Sequence, residues 1–142
     1  METLFAKQDR LLSLTSTEII RTLMYQINWD AQLVAIKGPR GVGKTTLMLQ
    51  YMKQHYEVYS REVLYCTLDS VYFSNHTLLE LVDVFVKNGG KHLFLDEVHK
   101  YPTWSKEIKE VYDMYPDLKV VFSASSLLNI LNADAYLSRR CI

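Results

Sequence analysis

Gly38-Pro39-Arg40-Gly41-Val42-Gly43-Lys44-Thr45 carries the most specific chemistry in the sequence. The run matches G-x-x-x-x-G-K-[ST], a phosphate-binding loop. Glycines let the backbone turn tightly and bring its amides up to phosphate oxygens. The helix that follows points its positive end at the same anion. In such a loop Lys44 reaches the β- and γ-phosphates, and the Thr45 hydroxyl ligates Mg2+. Arg40 and Lys37 add positive potential, with Lys37 also readable as a structural residue. The chain has only 5 glycines, and three of them fall in this loop. Backbone freedom is concentrated where the mechanism needs it.

Leu93-Phe94-Leu95-Asp96-Glu97 is the second element. An apolar strand ending in Asp puts a carboxylate at the C-terminal edge of a sheet, where open α/β sheets bind ligands. Asp96 there can hold Mg2+ through water, a Walker B role. Glu97, one step further, can polarise an attacking water as general base.

Three weaker signals follow. Ser123-Ala124-Ser125-Ser126 closes another apolar run. A hydroxyl there either contacts the γ-phosphate or orients water, or it belongs to a plain serine turn or helix cap. Arg139-Arg140 either stabilises charge on a transferred phosphoryl group, in cis or from a neighbouring subunit, or is a surface pair. His99 either couples nucleotide state to a partner surface or is an incidental exposed histidine. Pro102-x-Trp104 anchors the next helix by burying the indole.

These residues must be positioned by regular elements. Residues 1–14 give no clear pattern. Thr15-Ser16-Thr17-Glu18 matches a capping box, and Ile19, Ile20, Leu23, Met24 and Ile27 follow at helical spacing. The spacing predicts a helix from about 16 to 27. Leu33 to Lys37 reads as a buried strand and Thr45 to Gln54 as a helix. Val63 to Leu68 reads as a second strand. Thr77-Leu78-Leu79-Glu80 opens a helix that runs to about Asn88 and stops at Gly89-Gly90, which suits a left-handed C-cap. His92 to Leu95 is a third strand, ending at Asp96. Thr103 caps a helix to about Met114, closed by Pro116. Leu118 to Phe122 is a fourth strand, and Leu127 to Leu137 a short helix and loop. Strands alternating with helices predict a parallel sheet covered on both faces.

Composition sets the outer bounds. With 142 residues the chain is one domain. Lys+Arg and Asp+Glu are both 16, so the formal net charge is zero. That argues against disorder and against a strongly basic nucleic-acid surface. No apolar run approaches a membrane span, and METLFAKQDR lacks the apolar core of a secretory signal. Two distant cysteines, Cys66 and Cys141, make no disulfide framework. A reducing, cytoplasmic setting is the simplest expectation. No Asn-Lys-x-Asp follows a later strand, which argues against a guanine-specific GTPase. Neither H-E-x-x-H nor C-x-x-C is present to suggest zinc. No stripe of aromatic and basic residues points to an RNA-binding sheet. The 10 tyrosines read as half-buried amphipathic residues.

Taken together, LVAIKGPRGVGKTTLM, HLFLDEVHKYPTWSKEIKEVYDMYPDLKVVFSASS and LSRR resemble a prokaryotic family of AAA-like ATPases. In that family an N-terminal ATPase domain precedes a C-terminal domain of unknown function, often described as nuclease-like. The likeness runs from about Ile27 to Arg140. The loop alone is shared by very many families, whereas Asp-Glu-x-x-Lys-x-Pro-x-Trp is more restrictive. The resemblance implies that Gly38, Pro39, Arg40, Gly41, Val42, Gly43, Lys44, Thr45 and Thr46 bind ATP. It implies that Asp96 and Glu97 serve Mg2+ and water, and that Ser123 or Ser125 is a sensor. Arg140 falls on the family's Gly-Arg arginine. The sequence departs from the pattern at His99, where glutamine is common, at Ala124, which replaces a glycine, and at Ser138-Arg139, which replaces Ala-Gly.

The expected fold is α/β, a three-layer P-loop sheet, mainly parallel. Residues 1–142 read as one ATPase domain, the N-terminal portion of a longer protein, with residues 1–28 as its helical lead-in. A last strand and lid are expected beyond Ile142. The expected function is Mg2+-dependent ATP hydrolysis that drives a conformational or assembly change, with Lys44, Glu97, Ser123, Ser125 and Arg140 catalytic and Thr45 and Asp96 on the metal. A homo-oligomer, and a DNA or protein partner engaged through a C-terminal part, are expected; a membrane partner is not. The alternative is a nucleotide-controlled binding module with negligible turnover. A small-molecule kinase ranks last, because no arginine-rich lid is visible apart from Arg139 and Arg140.

Overall fold

A computed structural model of the chain describes residues 1–38 and 43–124. Its helices are α1 (Glu2–Leu14), α2 (Leu23–Gln26), α3 (Lys44–His55), α4 (Leu78–Lys87) and α5 (Trp104–Met114). Its strands are β1 (Leu33–Lys37), β2 (Val63–Thr67), β3 (His92–Asp96) and β4 (Lys119–Ala124), and short 3-10 turns cover Val71–Ser74 and Val98–Lys100. Among the described residues the strands form one sheet, ordered β1-β4-β3-β2, with every pairing parallel.

Side chains alternate across the sheet, as strand geometry requires. Leu33, Leu64, Leu93, Leu95, Val120 and Phe122 face α4 and α5. Val34, Ile36, Phe94 and Val121 face α3. The result is three layers, with apolar side chains filling both seams. Trp104 is buried in the first of these, as its place after Pro102 predicts.

Local sequence explains most element ends. Thr77 forms the predicted capping box: its hydroxyl accepts from Glu80 N at 3.1 Å, and Glu80 Oε2 accepts from Thr77 N at 3.2 Å. The exit of α4 is a Schellman turn, with Gly90 N donating to Phe85 O and Gly89 N to Val86 O. Gly89 takes φ 92°, and a Cβ on Gly90 would sit 2.5 Å from the Phe85 ring. Both glycines are therefore required. Strand β4 runs two residues further than its apolar run, so Ser123 lies inside the strand.

The lead-in corrects the sequence reading. Residues 2–14 form a helix that the pattern did not reveal, and only Leu23–Gln26 of the predicted 16–27 helix is helical. The Thr15–Glu18 capping box does not form. Thr15 closes α1 instead, its hydroxyl donating back to Leu11 O at 2.7 Å. The next residues are a strap tied to α3. Gln50 Nε2 donates to Ser16 O at 3.0 Å and Ile19 O at 2.9 Å, and Lys53 Nζ donates to Thr15 O at 2.6 Å. Tertiary partners for these carbonyls outcompete local helix propensity.

Helix α1 guards the outer edge of β2. Gln8 is 1% exposed. Its amide donates to Val63 O at 3.1 Å and accepts from Tyr65 N at 2.7 Å. One side chain thus stands in for a neighbouring strand on an edge that would otherwise offer open backbone groups.

His92 opens β3 in a closed aromatic setting. Its ring lies 4.4 Å from Phe94, and Nδ1 is 2.8 Å from the Tyr56 hydroxyl. Nε2 is buried with no hydrogen-bond partner among the described residues. Burial, and secondarily the charge of Lys119, push His92 down to about 4, against a weaker upward pull from Asp30. The unfolded chain therefore binds the proton at higher pH than the folded one. The stabilisation from a neutral His92 is complete above about 6.5 and is lost as pH falls towards 4. At 1.36 kcal/mol per pH unit this is about 3 kcal/mol. Urea midpoints at pH 7 and 4.5 should separate accordingly, and His92→Gln should remove much of the difference.

Candidate active site

Sheet order brings the chemically interesting residues to one edge. Strand β1 delivers Gly38, and α3 begins at Lys44 behind Gly43, whose φ is 81°. A left-handed φ costs an L side chain strain that glycine avoids. Lys44 is 8% exposed, and its ammonium donates to Gly38 O at 2.5 Å. The amine is therefore folded over the loop entrance. Thr45 sits on the first turn of α3 and is solvent-exposed, as is Thr46.

Asp96 ends β3 at the same edge and is 3% exposed. Four donors converge on it. The Thr45 hydroxyl and the Tyr65 hydroxyl (2.6 Å) donate to Oδ2. The Ser123 hydroxyl and the Glu97 backbone N–H (3.1 Å) donate to Oδ1. An all-donor shell suits a carboxylate, which only accepts. The three hydroxyls come from α3, β2 and β4, so the aspartate knits the helix to the sheet.

Tyr65 is the member that the sequence reading missed. Thr67 pairs with Asp96 across the β2–β3 ladder, and Tyr65 lies two residues back on the same face. Burial first, then the charge of Asp96, raises its phenol well above the usual value. The hydroxyl stays protonated and donates. The neighbouring Cys66 thiol is pushed up to about 12 by burial and the same charge, so it is no thiolate nucleophile.

Glu97 occupies a left-handed backbone position, φ 54° and ψ 42°. Such a conformation is uncommon for a residue with a side chain and clusters at functional sites. Its carboxylate lies 3.5 Å from His99 Nε2, the two side chains being 25% and 11% exposed. His99 is therefore not the exposed, isolated histidine of the sequence reading. Its ring is folded back against the carboxylate proposed as base.

The structure thus brings together Gly38, Gly43, Lys44, Thr45, Asp96, Glu97 and Ser123, and adds Tyr65 and His99. Thr46 faces a cleft of about 360 Å³ between the strap and α3, walled by Ser16, Glu18, Ile19 and Gln50. Pro39, Arg40, Gly41, Val42, Ser125, Arg139 and Arg140 lie outside the described residues, as does the stretch from Leu127 to Leu137 for which the sequence predicts a short helix and loop. No helix among the described residues is long and apolar enough to cross a membrane.

Comparison with known proteins supports this assignment of fold. The structure of PCH-2 from C. elegans aligns with a TM-score of 0.50 at 14% identity. The alignment covers 98% of this chain and 40% of that one, so this chain spans less than half of its structural relative. At that identity the likeness speaks for the fold alone. A search of curated proteins finds no match. A family model described as "AAA domain" matches residues 30–142. That match takes in the loop, both acidic strand-end residues and the whole sheet, and the chain belongs to the AAA domain family of P-loop nucleotide-binding proteins.

Proposed function

We propose that the chain binds ATP with Mg2+ at this sheet edge and hydrolyses it, and that turnover drives a conformational or assembly change in a larger protein. The observation that carries this reading is the shared hydrogen-bonded set of Thr45, Asp96 and Ser123, directly behind the loop lysine and beside Glu97.

The donor set fits the metal. Among the described residues no three His, Cys, Asp or Glu side chains cluster as a metal cage. Mg2+ does not need one: it takes oxygen ligands from one or two side chains and from substrate phosphates, and keeps several waters. Thr45 and Asp96 are the residues that would hold it. When bound, it would neutralise charge on the β- and γ-phosphate oxygens.

The protein's own groups supply the rest. The amide ends of α3 and the Lys44 ammonium bind and orient the phosphates. Lys44 exchanges its bond to the neutral Gly38 carbonyl for a stronger one to a negatively charged phosphate oxygen. Glu97 accepts a proton from the attacking water, and Ser123 fixes the Asp96 carboxylate. Ser125 and Arg140 are assigned as sensor and charge-stabilising residue by their sequence positions. A homo-oligomer would let Arg140 act in trans, and a DNA or protein partner would be engaged through a C-terminal part.

A second reading, a switch with negligible turnover, has one observation in its favour. His99 engages the Glu97 carboxylate and thereby competes with water for it.

The test begins with nucleotide affinity. A fluorescent ATP analogue should bind the purified protein, and Lys44→Ala should weaken binding about 10- to 100-fold, the loss expected for a charge-assisted bond. Phosphate release from ATP should require Mg2+ and stop on chelation. A wild-type protein that neither binds the analogue nor releases phosphate would sink the proposal.

A further inference from the structure

Gln8 covers only part of the outer edge of β2. In a strand the N–H and C=O of one residue face the same edge, and the edge alternates with each residue. Gln8 reaches Val63 O and Tyr65 N, so the odd-numbered residues face outward. Leu68 N donates to Asp96 O, which sets the even-numbered ones towards β3. The next outward pair is therefore Tyr65 O and Thr67 N. Strand β2 ends the sheet, and neither group has a hydrogen-bond partner among the described residues.

This stretch of edge floors a cavity of about 300 Å³. Leu4 and Leu11 of α1 give it an apolar wall, and Leu11 is 37% exposed. Lys7 and Arg10 of the same helix also line it, and no acidic side chain does so among the described residues. Neither cation has an ion pair among the described residues. Asp9, the acid between them in sequence, is engaged by Arg61 at 3.2 Å.

Gln8 shows what fits the open pair. Its amide gives one N–H to the strand and accepts one N–H from it, as a single residue of an added parallel strand would. A second residue of that kind, placed one step further along, would meet Tyr65 O and Thr67 N. Backbone bonds of this sort supply affinity, and the side-chain pocket beside them supplies specificity. The two cations favour carboxylates and oppose a basic segment.

We propose that this cavity docks an extended acidic segment of a partner protein. The segment adds to the edge of β2 at Tyr65 O and Thr67 N, sets an apolar side chain against Leu4 and Leu11, and lays its carboxylates on Lys7 and Arg10. Docking needs no nucleotide.

Amide NMR spectra of the full chain, titrated with the peptide acetyl-Glu-Asp-Leu-Asp-Glu-amide, test the proposal. The peptide should bind saturably at about 0.1–1 mM. The Thr67 N–H should shift downfield, and its exchange with solvent should slow. A peptide methylated on the leucine nitrogen should bind about tenfold more weakly, because it cannot donate to Tyr65 O. Lys7→Glu combined with Arg10→Glu should weaken the acidic peptide at least tenfold and admit a peptide with lysine at each acidic position. Both residues are exposed, so the thermal midpoint of that variant should stay within a few degrees of wild type. No binding to wild type at millimolar peptide overturns the proposal. So does binding that ignores the charge reversal, or that leaves the Thr67 N–H unmoved. A Thr67 N–H already slow to exchange in the free protein overturns it too, because the edge is then filled by the chain itself or by a second copy.

Discussion

Glu97→Gln should lower phosphate release from Mg-ATP at least a hundredfold while leaving ATP affinity within a few-fold of wild type. The expectation follows from what the exchange removes. Glutamine keeps the length and one oxygen of the side chain but cannot accept a proton from water. General-base catalysis contributes typically 10²–10⁴-fold, so the loss should sit in kcat. Binding should survive, because Lys44 and the start of α3 are left intact. The left-handed backbone at Glu97 is set by the tight turn into Val98–Lys100, not by its carboxylate, so the fold should survive too. The same variant separates the two functional readings. If wild type turns over and the variant does not, the hydrolase reading holds. If both bind tightly and neither turns over, the contact with His99 describes a resting switch. If the variant hydrolyses ATP like wild type, Glu97 is not the base and the sheet edge needs another candidate.

Most of the site was legible in the sequence because its parts are local. A glycine loop between a strand and a helix, or an acid at the end of an apolar run, depends on neighbours within a few residues. The same holds for Thr77 and for the Gly89-Gly90 exit of α4. What escaped depends on pairing between distant segments. Tyr65 reads as one more apolar strand residue until the register sets Thr67 beside Asp96. Helix α1 was obscured by Gln8, a polar residue on the otherwise apolar stripe of Leu4, Phe5 and Leu12. It is polar because it meets the backbone of β2. The strap was misread for the converse reason. Its capping pattern and apolar spacing are real, but Gln50 and Lys53 claim its carbonyls from across the fold.

Asp96 should prove to be a structural centre as well as a metal ligand, and two substitutions separate the roles. In Asp96→Ala the Tyr65 and Ser123 hydroxyls, both buried, and the Glu97 N–H lose their acceptor. Each stranded buried group costs about 1–3 kcal/mol, a large share of the roughly 5–15 kcal/mol that hold a domain together. The urea midpoint should drop sharply, or the protein should fail to accumulate folded. Asp96→Asn is gentler by geometry. Its amide oxygen can face Ser123 and the Glu97 N–H, which can only donate. Its NH2 then meets Thr45 and Tyr65, whose hydroxyls can turn to accept. The variant should stay folded with a modest loss of stability. It lacks the negative charge, however, and should lose Mg2+-dependent turnover by a hundredfold or more. Folded and inactive is the expected result for Asn, and unfolded or nearly so for Ala. An active Asn variant would remove Asp96 from the chemistry. A fully stable Ala variant would show that the four donors find water as readily as they find the carboxylate.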